Sequence, residues 1–453
     1  MNEKNDFETS KTSTRKMAFY ASARLGSSMV LGIEGFALSA FYYVGLGVPF
    51  LLIGIAQAIG FIIIGFGQFF FGWISDAKYT KWGRRKPYIL LLTPLLAISF
   101  IMLLFPTLIL PDLNDKIALF LWFLLWDALF KIGYSMTTVY QAWVPEQFIT
   151  EKRPKVSQFQ NYFNYIGNAI MFLMTMLVLS SFADQLEVNI NSPMPSDFLI
   201  LTILFGIILI ALFYIVAILM PTEPYSEIDT DLMGSLKLIL KNKNYLRIIL
   251  MIGISSLGWS IITDVMLTYS LVVLNIGGDA NLIISIILIV GILIFVLMWR
   301  KLVEKKGKKT TLLMIFLFAV ITLPLSLVGL LEFATNIVFA LIMVTCIAAM
   351  LGGWGLFPYI IYADVAEDDE KNTGCLKAGI YTGFNSIILN AFQAFGVLVL
   401  GVVIDSLPEI TVGSLTYSLG LVLWGPICSG ILLCSFLYTR KYVRLDFDWE
   451  KAK

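Results

Sequence analysis

Twelve long apolar stretches, separated by short polar breaks, constrain this chain more than any other feature of its sequence. A helix needs about 20 apolar residues to cross a hydrocarbon core of about 30 Å. That length is met by Met17–Val44, Pro49–Ser75, Pro87–Leu108, Ile117–Gln141, Ser157–Phe182 and Phe198–Met220. It is met again by Leu246–Leu274, Asn281–Trp299, Thr310–Leu330, Ile337–Ile361, Lys377–Asp405 and Tyr417–Tyr438. In lipid every backbone polar group must be satisfied within the protein, and runs of this length do so as helices. With 58% hydrophobic and 14% charged residues in 453, the chain is too apolar for a water-facing surface. The expected fold class is an all-α membrane protein of twelve transmembrane helices.

The charges say how those helices are grouped and oriented. The longest polar connection, residues 221–245, is rich in Pro, Glu, Asp, Lys and Asn and divides the spans six and six. This gives an N-terminal tail (1–16), a first six-helix bundle (17–220), a linker (221–245), a second bundle (246–438) and a C-terminal tail (439–453). With the N-terminus placed in the cytosol, all of the 32 Lys and Arg residues except Arg24, Lys116 and Lys131 fall on the cytosolic side. Basic residues are retained there, so both termini are expected to be cytosolic in a plasma-membrane protein. The polar N-terminal residues do not read as a secretory signal, and Cys346, Cys375, Cys428 and Cys434 do not make an external disulfide framework. The chain has no histidine, so proton chemistry falls to carboxylates.

The loop from Gly72 to Pro87, Gly-Trp-Ile-Ser-Asp-Ala-Lys-Tyr-Thr-Lys-Trp-Gly-Arg-Arg-Lys-Pro, is a basic reversal between spans two and three, with Pro87 suited to a helix's first turn. The loop after span eight, Glu304 to Lys309, repeats its order of acid, glycine and basic pair. Ser27-Ser28 with Glu34 in span one likewise matches Ser255-Ser256 with Asp264 in span seven. Such correspondences fit an internal repeat of two bundles.

These stretches, with Tyr140-Gln141-Ala142-Trp143-Val144-Pro145-Glu146 and Tyr362–Glu370, Gly379-Ile380-Tyr381 and Gln393-Ala394-Phe395-Gly396, resemble the major facilitator superfamily. Within it they resemble the glycoside-pentoside-hexuronide:cation symporters, the melibiose-carrier-like group. The resemblance implies two six-helix bundles, with spans one, four, seven and ten lining a central cavity. It also implies a latch at the cytosolic helix ends made by Asp76, Gly83, Arg84 and Arg85, with Asp364 in the tenth loop.

Five ionisable residues lie deep in spans: Arg24 and Glu34 in span one, Asp127 and Lys131 in span four, and Asp264 in span seven. Charges within a membrane are expensive and face a cavity or one another. Asp127 and Lys131, at i and i+4, share a helix face and read equally as a self-neutralising pair or as a substrate contact. Glu34 and Asp264 have no opposite charge in their own spans. They are the candidate coupling acids, the alternative being a structural pairing with Arg24. Amides and aromatics suit neutral polyols because they donate and accept without charge. This nominates Asn164 and Asn168 among Gln158, Gln160 and Asn161, then Asn385, Asn390 and Gln393, with Gln57 and Gln68 beside them. Trp259 and Trp354, and also Trp126 and Tyr140, are candidates to stack on a ring; helix packing is the alternative for all of these.

Against the melibiose carriers, the two acids of span two fall on Ile64 and Gln68, the acid before the fourth-span Val-Pro on Thr137, and the Lys of span eleven on Asn390. The family's sodium site is therefore not carried over, and proton coupling through Glu34 or Asp264, or uncoupled diffusion, fits better. The expected function is secondary transport of a sugar or glycoside by alternating access, coupled to a proton or a cation. The alternatives are an uncoupled facilitator, and a carrier or exporter of a lipid-like or drug-like molecule. No enzyme activity, no cofactor beyond a coupling ion (H+ or Na+) and no nucleic-acid partner is expected. The partners are a small-molecule substrate and the lipid bilayer, and the protein is expected to act as a monomer.

Overall fold

The computed structural model describes residues 13–149, 152–222, 240–276, 279–357, 361 and 378–445. Eleven of its helices are long and apolar enough to cross a membrane, and a bent pair supplies a twelfth span. In chain order they are α1 (Thr14–Phe36 with Leu38–Gly45, bent by 43°), α2 (Phe50–Ala77), α3 (Lys86–Leu104), α4 (Lys116–Ala142), α5 (Lys155–Val188) and α6 (Ser196–Leu219). They continue with α7 (Lys243–Val272), α8 (Asp279–Lys306), α9 (Lys308–Leu330), α10 (Ile337–Trp354), α11 (Ala378–Ser406) and α12 (Gly420–Tyr442).

Local sequence accounts for several helix ends. Asp115, Asn242 and Asn336 cap α4, α7 and α10 by accepting first-turn backbone N–H bonds. Pro87 sits in the first turn of α3, as expected. The last turns of α9 tighten to a 3₁₀ helix from Leu323, at the Leu323-Pro324 step. Span twelve begins later than expected: Tyr417 lies not in a helix but in a hairpin, β1 (Glu409–Val412) with β2 (Leu415–Ser418). Gly413 takes φ +61° at its turn. Alternating Ile410, Val412, Leu415 and Tyr417 around Gly-Ser was the hairpin signal, masked by the apolar run that follows.

The contacts divide the chain into two compact units. One holds Met1–Phe41, Gly45–Val48 and Ile59–Asp231; the other holds Tyr42–Val44, Pro49–Ala58 and Leu232–Lys453. In the first unit α1 packs on α5, and α3 packs on α4 and α6. Glycines bring α2 onto α4: a side chain at Gly60 would collide with Asp127, and one at Gly67 with Ser135. In the second unit α7 packs on α11, α9 on α12, and α8 on α10. There Gly352 lies against the Ile292 backbone. The pairings one-with-five, two-with-four and three-with-six thus recur as seven-with-eleven, eight-with-ten and nine-with-twelve. The faint sequence repeat has a physical counterpart.

Burial sorts the helices. The most apolar window of α7 is 78% buried, whereas that of α8 is 11% buried. An apolar helix so exposed suits lipid contact, and α7 carries its polar residues inward.

Candidate functional site

The first unit buries a three-residue charged centre. Lys131 on α4 reaches Glu34 on α1, Nζ to Oε1 at 2.8 Å, with side-chain exposures of 1% and 3%. The ammonium also stands over the Phe61 ring of α2, 4.5 Å from its centroid. The self-neutralising Asp127–Lys131 pair and the Glu34–Arg24 pairing give way to this arrangement, because Glu34 projects from α1 to the same level as Lys131. Asp127, one turn before Lys131, is fully buried and lies within electrostatic reach of both Glu34 and Lys131.

Neither oxygen of Asp127 accepts a hydrogen bond among the described residues. Among its polar neighbours is another carboxyl, Glu34, within hydrogen-bonding reach. As two carboxylates, these groups have no hydrogen to share. The centre contains two acids and one base, so one added proton both neutralises it and supplies the missing donor. Gly60 makes the geometry reachable, since a Cβ there would occupy the place of Asp127 Oδ2.

Around this centre the amides of α5 divide. Asn164 Oδ1 accepts from Ser28 Oγ at 2.6 Å, which spends it on the α1–α5 contact. Asn168, one turn further on and half-buried, makes no side-chain hydrogen bond among the described residues. Tyr140 also serves packing. Its ring stacks on Tyr20 at 4.5 Å, and the two hydroxyls bond each other's backbone carbonyls. Trp126 packs against Trp122 with centroids 5.7 Å apart.

The second unit buries an acid on α7 and, on α7 and α10, an aromatic pair. Asp264 on α7 is buried, and its Oδ1 accepts from Gln57 Nε2 at 2.9 Å. Trp259 and Trp354 stack on each other, centroids 5.6 Å apart at 20°, and Phe316 flanks Trp354. Trp259 is buried, and its indole N–H has no hydrogen-bond partner among the described residues. Asn385 is buried, and Gln393 is half-buried. Asn390 donates to Ser386 O (2.7 Å) and Ser386 Oγ (3.1 Å) on its own helix, which favours packing over substrate contact for this amide.

The α2–α3 loop closes as a tight reversal. Thr80 and Gly83 exchange backbone hydrogen bonds, and Gly83 takes φ +90°, a conformation that favours glycine. Arg85 is buried. It donates Nη1 to Ser75 Oγ at 2.7 Å, and Nε and Nη2 to Glu146 Oε1 at 3.2 and 2.8 Å. Arg84 is also buried, with its guanidinium over Tyr79. Glu146 was not among the expected latch residues, although it ends the Trp-Val-Pro-Glu segment after span four. An acid beside a proline at a helix end was its signal. The side chain of Asp76, and Asp364 altogether, lie outside the described residues.

Eleven apolar helices and a bent twelfth span, burying charged and amide side chains, form a multi-pass membrane protein, and the family it matches is one of transporters rather than enzymes. The chain belongs to the MFS/sugar transport protein family, whose model matches residues 19–424. No curated protein matches it by sequence. Among solved structures it is similar in fold to a D-xylose-proton symporter, at 14% identity and TM-score 0.67, covering 95% of this chain and 98% of that one. It is similar also to the xylose transporter XylE from E. coli in a partially occluded inward open conformation, at 14% identity and TM-score 0.64, covering 95% and 98%. The nucleoside transporter NupG matches at 15% identity and TM-score 0.61, covering 94% and 99%.

Proposed function

We propose that this protein moves a sugar, glycoside or similar polyol across the plasma membrane by alternating access, driven by protons. It acts as a monomer with both termini cytosolic. The observation that carries the reading is Asp127: a fully buried carboxyl that meets no donor among the described residues, set beside a Glu34 already paired with Lys131. A proton held between Asp127 and Glu34 removes the uncompensated charge, and losing it restores that charge; a coupling site requires this alternation. Lys131 favours a proton over sodium, because a metal ion between the two acids would sit against an ammonium 2.8 Å from one of them. Asn168, the Trp259 indole N–H, Asn385 and Gln393 supply polar contacts that suit hydroxyl groups.

The latch expected at Asp76, Gly83, Arg84 and Arg85 is proposed to work through Arg85, which joins Ser75 at the end of α2 to Glu146 beyond α4. Basic residues lining the same set of loops support the cytosolic placement of this end.

Reconstitution into proteoliposomes tests the proposal. D-xylose, melibiose and uridine are offered with an imposed proton gradient, a sodium gradient or neither. Proton-driven accumulation of a saccharide is the expected result. Sodium-driven accumulation, or uptake that only equilibrates, overturns the coupling assignment, and accumulation of uridine alone overturns the substrate class.

A further inference from the structure

The first turns of α2 are held along one side by three consecutive contacts within the second unit. At the helix start, backbone N–H groups of Phe50 and Leu51 donate to Asp405 Oδ1 and Oδ2 at 3.1 and 2.8 Å. The carboxylate comes from the far end of α11 and satisfies donors that a helix start leaves open. One turn on, α2 meets α11 backbone to backbone. A Cβ on Gly54 would stand 2.7 Å from the Val397 carbonyl, and one on Gly401 would stand 2.8 Å from Leu51 Cα. One turn further, Gln57 donates to Asp264. Residues 51, 54 and 57 are spaced by three, so they lie on neighbouring positions of one helix side. Two acids anchor this seam: Asp405 at its end, with Tyr43 in electrostatic reach, and Asp264 at its buried limit.

The two anchors differ in chemistry. Asp405 bonds backbone amides, which present only hydrogens. Gln57 presents an amide that can either donate or accept, so it can answer Asp264 in both its charged and its neutral form, though with unequal strength. A hydrogen bond to a carboxylate is roughly twice as strong as one between neutral groups. Neutralising Asp264 therefore weakens the seam at its buried end without destroying a partner.

We propose that Gln57 is a positioning residue for Asp264, and that this hydrogen bond, with the Asp405 cap, docks the first turns of α2 so that neutralising Asp264 loosens them. The inference rests on the transport reading only in giving that loosening a use. It assigns the seam, not a second substrate site, to the acid of α7.

Hydrogen–deuterium exchange on the full-length protein tests it without any substrate. Relative to wild type, Asp264→Asn is expected to speed exchange in peptides covering residues 50–58 by about fivefold, and Asp264→Leu and Gln57→Leu by about tenfold or more. Asp405→Asn should act mainly on the first turn. Peptides from α9 and α12 serve as the folding control and should not change. A Gln57→Leu and Asp264→Asn double variant should exchange no faster than Gln57→Leu alone, because the two residues act on one bond. Wild-type exchange at 50–58 in both Asp264→Asn and Gln57→Leu, or additive effects in the double variant, overturns the proposal. If the Asp264 variants do not fold, Gln57→Leu alone decides: unchanged exchange refutes the docking role. Failure of the wild-type protein to transport any solute would leave these outcomes readable and would refute only the use assigned to the loosening.

Discussion

The two units bury their acids in opposite ways. In the first, Glu34, Asp127 and Lys131 form a cluster of two acids and one base, in which Glu34 is ion-paired and Asp127 accepts no hydrogen bond among the described residues. In the second, Asp264 faces an amide, and the nearby aromatic pair, Trp259 with Trp354, carries no charge. An ion pair excluded from water fixes a charge state strongly, whereas an amide tolerates either state. On the proposed reading the first unit counts protons, and the second responds to charge with a small change in packing. Similar helix pairings in the two halves carry different chemistry.

The sharpest way to break this contrast is to remove the base. Lys131→Met leaves Glu34 and Asp127 facing each other without compensation, which for a buried pair costs about 3–5 kcal/mol. Folded yield should collapse, and thermal denaturation of any recovered protein should fall by many degrees. Adding Glu34→Gln to Lys131→Met removes one of the two acids and should recover much of the folded fraction; no recovery would mean that the pair does not act as a unit. Asp127→Asn comes next. Its amide supplies the donor that Asp127 lacks and mimics the protonated centre permanently. Proton-driven accumulation should fall about a hundredfold, while substrate exchange with no imposed gradient stays within about threefold of wild type. Retained proton-driven accumulation would remove Asp127 from the coupling site.

The fold was legible because twelve apolar runs can only be spans, and because Lys and Arg mark one set of loops. The cluster was legible as residues but not as contacts. Period 3.6 put Asp127 and Lys131 on one face, yet which partner Lys131 takes depends on how α1 packs beside α4, which only the folded chain shows. Asp264–Gln57 was hidden for a different reason: α2 and α7 are distant in sequence, and a glutamine in an apolar helix reads as ordinary packing. Tyr140 and Asn390 drew attention by type alone, and local geometry joins Tyr140 to Tyr20 of α1 and Asn390 to Ser386 of its own helix. Glu146 was overlooked because acids near span ends usually do no more than face water.

Gly60 distinguishes shape from charge. Gly60→Ala places a methyl where Asp127 Oδ2 lies, and overpacking of this kind costs about 1–3 kcal/mol. The expected result is a drop of several degrees in the melting temperature and a tenfold loss of proton-driven uptake. Gly67→Ala, against Ser135 on the same α2–α4 seam, should lower the melting temperature similarly and leave proton coupling intact. Equal loss of coupling in both variants would make helix spacing, not the carboxyl pair, the decisive quantity.

The mildest test falls on the aromatic pair of the second unit. Trp259→Phe keeps a ring stacked on Trp354 and deletes only the indole N–H that has no partner among the described residues. If that donor meets a substrate hydroxyl, its loss removes one neutral hydrogen bond, worth about 1 kcal/mol, or about a fivefold rise in KM. The maximal rate and its dependence on the proton gradient should hold, because the substitution leaves Glu34, Asp127 and Lys131 untouched. A gradient dependence that moved with Trp259 would place proton counting in both units and erase the contrast between them. An unchanged KM would return the tryptophan pair to packing, leaving Asn385 and Gln393 as the second unit's remaining polar candidates.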